Sequence, residues 1–107
     1  MKKDNSIIIF NQKQVRRSWD EEKELWYFSV VDVIEILTES PRPRKYWNAL
    51  KTKLDSEGSE LSQKMGRLKM RAQDGKMRIT DVLDTENILR LIQSIYSSLM
   101  SQVYHSR

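Results

Sequence analysis

Residues Gly66 to Ile79 read GRLKMRAQDGKMRI, and that stretch decides the fold. Basic and apolar residues alternate on both sides of Asp74-Gly75, the spacing of strands whose two faces differ. Asp-Gly is among the strongest two-residue hairpin signals, because both positions of that turn take positive φ. A two-residue turn sets the register: Ala72 faces Met77, Arg71 faces Arg78 and Met70 faces Ile79. One face then holds Leu68, Met70, Ala72, Met77 and Ile79, and the other holds Arg67, Lys69, Arg71 and Arg78. With helical periodicities on either side of this hairpin, the expectation is an α+β domain. Arg71 opposite Arg78 is an unfavourable like-charge pair. A bound phosphate would relieve it, and so would side chains splayed into water.

Upstream, Pro41 to Lys53 (PRPRKYWNALKTK) carries five cations and no carboxylate. Pro43 suits the first turn of a helix. That helix puts Tyr46, Trp47, Leu50 and Leu54 on one stripe, and Arg44, Asn48 and Lys51 on the opposite one with Lys45 beside them. The aromatic stripe is suited to a core. Cations flanking a side-chain amide can hold phosphates and read a base edge. The bland alternative is a solvated helix face, but such faces usually carry Glu–Lys pairs at i,i+4, and this one has no acid.

Before it, Ile7–Phe10, Val15–Trp19 and Leu25–Phe28 read as a three-strand meander, turned at Asn11-Gln12 and at the acidic loop Asp20–Glu24. Trp19 and Trp26 read as strand packing, with base stacking on an exposed sheet as the alternative. Ser29 is an N-cap, with Asp32 as a short capping-box partner, for a helix bearing Val30, Val33, Ile34 and Leu37. Pro41 ends that helix, so the two helices are compatible with a helix-turn-helix-like pair. Asp55 to Gly66 reads mostly as loop, with a helical turn after Ser59. Asp84 or Thr85 caps a last helix whose stripe is Ile88, Leu91, Ile92, Ile95 and Leu99.

The 107 residues suit one domain. The net charge of +4 and pI near 9.4 favour an anionic partner only mildly. Distribution says more: residues 40–53 and 61–73 hold nine cations and no acid. With no cysteine and a single histidine, His105, neither a thiol–imidazole pair nor a His- or Cys-type metal site can be built. No GxGxxG or Walker motif occurs. The cluster Asp20, Glu21, Glu22 and Glu24 reads as a solvated loop rather than a cation site. We therefore expect no catalytic residue, no metal and no cofactor. The four-residue apolar run at the N-terminus is short for a signal peptide, and Arg90, Gln93 and several serines interrupt Ile88–Val103. A cytoplasmic protein without a membrane partner is the expectation.

A longer pattern lies in Trp26-Tyr27-Phe28-Ser29-Val30-Val31-Asp32-Val33, Tyr46-Trp47, Lys53-Leu54, and Glu57-Gly58-Ser59-Glu60-Leu61-Ser62. It continues through Asp74-Gly75-Lys76, Thr80-Asp81-Val82, Asp84-Thr85-Glu86 and Leu89-Arg90-Leu91-Ile92-Gln93-Ser94-Ile95. On these residues the chain, from about Ile8 to Ile95, resembles the Bro-N family, the N-terminal domain of phage antirepressors and baculovirus Bro proteins. Within that family it is most similar to the bacterial group named after DNA-damage-inducible protein D. The resemblance implies a small α+β domain over residues 7–95 with a DNA-binding or regulatory role, and no enzyme. Members of this group usually continue into a proline-containing segment. Residues 96–107 contain no proline and read as an atypical tail, a truncated or frameshifted ending.

Two functions follow. The first is a DNA-binding regulatory domain, with Arg44, Lys45 and Lys51 on phosphates and Asn48 at a base edge. Arg67, Lys69, Arg71 and Arg78 would supply a second backbone contact. The second is an interaction module that antagonises a repressor or a DNA-repair or recombination protein through the last helix, where Leu99, Met100, Val103 and Tyr104 prolong the apolar pattern. A homodimer would also suit that surface.

Overall fold

The computed structural model describes residues 5–10 and 12–105, and the side chains of residues 7–9 and 12–97. Three strands come first: β1 (Asn5–Phe10), β2 (Lys13–Asp20) and β3 (Leu25–Ser29), an antiparallel meander as the short strand-like runs between turn residues predict. Gln12 takes a φ of 65° in the first turn, and Asn11 lies outside the described residues. In the acidic loop, Asp20 accepts hydrogen bonds from the amides of Glu22 (3.0 Å) and Lys23 (3.1 Å). Its carboxylate thus closes the turn on itself.

Two helices follow, α1 (Val30–Thr38) and α2 (Pro43–Ser56), separated by four residues that include Pro41. Ser29 caps α1 by accepting from the Asp32 amide, and Glu39 ends it at a φ of 53°. The expected capping-box role of Asp32 gives way to a tertiary one. Its carboxylate accepts from Arg16 of β2 at Nε (2.7 Å), Nη2 (2.9 Å) and backbone N (2.9 Å). A bidentate guanidinium offers more hydrogen bonds than a cap's single amide. The segment expected as loop is shorter than anticipated, since α2 runs on to Ser56 and α3 (Glu60–Lys64) follows, capped by Ser59.

β4 (Gly66–Arg71) and β5 (Met77–Asp84) form the expected hairpin, and α4 (Thr85–His105) follows with the Asp84 carboxylate capping the Asn87 amide. The sheet order is β1-β2-β3-β5-β4, joined in the middle by the short β3–β5 pairing of Tyr27–Ser29 with Val82–Asp84. α4 continues past Ile95 without a break.

The hairpin register differs from the expectation by one residue. Ala72 N donates to Lys76 O and Gly75 N to Ala72 O, so the loop is Gln73-Asp74-Gly75 with Gly75 at a φ of 84°. That is a three-residue loop, a type I turn ending in a left-handed glycine, which Asp-Gly serves as well as the two-residue turn. Met70 therefore pairs with Arg78, Lys69 with Ile79 and Arg71 with Met77. The like-charge Arg71–Arg78 pair does not form. Arg67, Lys69 and Arg71 share their face with Met77, Ile79 and Asp81, while Arg78 lies on the other face with Leu68, Met70, Thr80 and Val82.

The helices cover the face that carries Leu83. There Val30, Ile34, Trp47, Leu54, Leu61, Leu83, Ile88, Leu91 and Ile95 form the core, flanked by Phe28, Tyr46 and Leu50. Met70, Thr80 and Val82 are buried on the opposite face. Across that face Arg16 Nη1 reaches the Arg71 carbonyl at 3.1 Å. In a flat sheet β2 and β4 would lie about 14 Å apart, farther than an arginine side chain spans. The sheet is curled.

Candidate nucleic-acid interface

Trp47 anchors α2 in the core with 3% of its surface exposed, and its indole N–H needs an acceptor there. It donates to Oδ2 of Asp81 on β5 at 2.8 Å. One turn later on α2, Lys51 Nζ donates to the same oxygen at 2.9 Å and lies 5.9 Å from the Trp47 ring centroid. The other carboxylate oxygen faces Arg67 Nε at 3.4 Å. Burial pushes the Asp81 carboxyl up, but the bonds from Lys51 and Trp47 outweigh it and hold the group below the usual carboxylate range. Asp81 is thus ionised at neutral pH and fixes a helix and two strands around one charge.

Above it lies a concavity of about 210 Å³. Arg44, Asn48 and Lys51 line it from α2 and Arg67 from β4, with Asp81, Thr80 and Ile79 of β5 beneath. Two stretches well separated in sequence therefore share one surface. Lys69 and Arg71 extend the same sheet face toward the hairpin tip, beside the exposed Met77 and Ile79. Arg44 and Lys69 are exposed and form no ion pair among the described residues, so their charges are open to an anion. Arg44, Lys51, Arg67, Lys69 and Arg71 thus share this side of the molecule, and Asp81 engages two of them, Lys51 and Arg67. Such a surface can bind phosphate oxygens, and the Asn48 amide adds a donor–acceptor pair.

The expected residues separate into groups. Arg44, Asn48, Lys51 and Arg67 converge on the concavity. The stripe of Arg44, Asn48 and Lys51 borders the Trp47 stripe and looks over the sheet, rather than lying opposite it. Lys45 is exposed but does not line the concavity. Arg71 keeps its place on the face and donates to the Gly75 carbonyl at 3.1 Å, bracing the turn. Arg78 leaves the group because of the register, and bonds Asp74 at 2.6 Å. That bond holds the Asp74 carboxyl below its ordinary value.

Asp81 and Ile79 were not among the expected site residues. A signal for Asp81 existed: a carboxylate two residues from Ile79 and two from Leu83, on a strand face turned to the core, needs a built-in partner. Elsewhere, Trp19 and Trp26 form a cross-strand pair with centroids 5.3 Å apart, and Arg17 covers the Trp26 ring at 3.8 Å. Their ring surface is spent on packing, which leaves little for base stacking. Among the described residues no three His, Asp or Glu side chains converge on a metal position, and no helix is long and apolar enough to cross a membrane. The side chains of Leu99, Met100, Val103, Tyr104 and His105 lie outside the described ones.

No protein-family model matches the chain, and neither a curated protein nor a solved structure is significantly similar to it.

Proposed function

We propose that this chain is a non-enzymatic, cytoplasmic DNA-binding regulatory domain of the phage antirepressor or Bro type. One observation supports the reading above the others: Arg44, Asn48, Lys51 and Arg67, from a helix and a strand, line a single concavity. Arg44, Lys69 and Arg71 contact backbone phosphates, and Lys51 and Arg67 join them from positions shared with Asp81. Asn48, in the same lining, carries the amide that would read a base edge. Engaging three to five phosphates gives log K a slope of about −3 to −5 against log salt on duplex DNA. Fluorescence anisotropy with random single- and double-stranded oligonucleotides at several salt concentrations measures it. A flat response rejects the reading.

A second reading, a module that antagonises a repressor or repair protein, is favoured by Met77 and Ile79, exposed at 50% and 56% beside the cations. A partner with mixed apolar and acidic surface would fit that face. Under this reading DNA does not bind, and the Ile79→Glu variant loses the protein partner.

A further inference from the structure

Among its described residues the last helix leaves large apolar side chains exposed. Ile88, Leu91 and Ile95 are its buried positions, at 5%, 0% and 2% exposure. Beside them, Leu89 and Tyr96 stand 54% and 61% exposed. Beyond Ile95, α4 runs on to His105. The ten helical residues after Ile95 extend about 15 Å.

Two features of this helix say what kind of surface covers it. Leu91 to Tyr104 contains no Asp, Glu, Lys or Arg, in a chain of which 32% of residues are charged. A helix projecting into water normally carries charge on its outer faces. The second feature is spacing. Leu89, Ile92, Tyr96, Leu99 and Val103 follow one another at intervals of three and four, which on a helix is the a/d seam of a two-stranded coiled coil. The flanking e and g positions, including Gln93, Met100 and Gln102, are uncharged. Nothing in the seam repels an identical one, and no charge pattern selects a different partner.

We propose that α4 pairs with α4 of a second copy of this chain along Leu89, Ile92, Tyr96, Leu99 and Val103, making the protein a homodimer. The surface lies on α4, away from the concavity between α2 and the β4–β5 hairpin, and the inference does not depend on DNA binding. About two heptads bury less area than a standard interface, and a weak dimer with a Kd of roughly micromolar order is the expectation.

Sedimentation velocity of the full chain across that concentration range tests the proposal. The wild type is expected to move from monomer to dimer mass as concentration rises. Leu89→Glu and Tyr96→Glu place a charge at exposed seam positions and should each raise the dimer Kd by about tenfold or more, since two charges then meet across one seam. Ser94→Glu, on the other side of the helix, should leave it unchanged. Circular dichroism confirms that each variant is folded. A wild type that stays monomeric throughout overturns the proposal, as does a dimer indifferent to both seam variants.

Discussion

Arg67 on β4 stands directly opposite Asp81 on β5, its Nε 3.4 Å from a carboxylate oxygen. The other oxygen takes hydrogen bonds from Trp47 and Lys51 of α2. One carboxylate with 14% of its side chain exposed thus binds the hairpin to the helix. Had the hairpin kept a two-residue turn, Arg67 would face the other side of the sheet, and the two basic segments would be separated by its thickness. A one-residue change of register brought them together.

The first prediction concerns the acid stability that Asp81 confers. Its folded pKa lies below the unfolded value, so its contribution is complete above the unfolded value of about 4 and is lost as pH falls through the lower folded one. Asp81→Ala leaves the buried Trp47 N–H without its acceptor and should cost about 2–3 kcal/mol at neutral pH. Asp81→Asn retains an acceptor and should cost about 1 kcal/mol. Urea unfolding from pH 7 down to pH 3 should show the gap between wild type and Asp81→Asn closing with acid. A gap that does not change with pH would contradict the charge-based account.

Arg16 and Asp32 hold β2 to the start of α1, with side-chain exposures of 20% and 13%. Removing the guanidinium strands a carboxylate with little water around it, and Arg16→Ala should lower stability by about 3 kcal/mol. Arg16→Lys should recover only part of this, because an ammonium lacks the planar fork that meets both oxygens. A double-mutant cycle with Asp32→Ala measures the coupling, expected at roughly 1–3 kcal/mol. A coupling near zero would show that the pair is incidental.

Salt-dependent DNA titration of variants separates the two faces of the hairpin. Arg44→Ala and Arg67→Ala should each reduce the salt slope by about 1. Arg78→Ala, on the opposite face and bonded to Asp74, should leave it unchanged. Asp81→Asn should tighten binding at low salt by releasing Lys51 and Arg67 from their carboxylate. Equal losses from Arg44→Ala and Arg78→Ala would mean that a general positive field, rather than this surface, attracts the DNA.

Much of the fold was legible because its signals are local. Short strand-like runs between turn residues marked the meander, Ser29 and Asp84 marked helix starts, and Pro43 marked the first turn of α2. Asp74-Gly75 announced a hairpin but left its loop length open, since a glycine in the left-handed region suits both turns. The strand pattern did not settle the matter either. β5 is apolar on both faces, with Met77, Ile79 and Leu83 on one and Val82 on the other beside Thr80. After a slide of one residue Leu68 and Met70 still share a face with Val82, although their direct partners become Thr80 and Arg78. Within the candidate site, the cationic stripe of α2 was visible from its periodicity. For Asp81 the sequence signalled a carboxylate in need of a partner but not which one, because Trp47 and Lys51 lie 34 and 30 residues away.

By itself the sequence determined which segments are helix or strand, where they begin, and that positive charge gathers in two of them. Such choices depend on neighbours within a few residues, where backbone sterics and side-chain periodicity act. The tertiary structure alone decided that the two basic segments face each other across Asp81. That outcome depends on strand register and on a buried carboxylate finding distant donors, and both are settled only when the sheet closes against the helices.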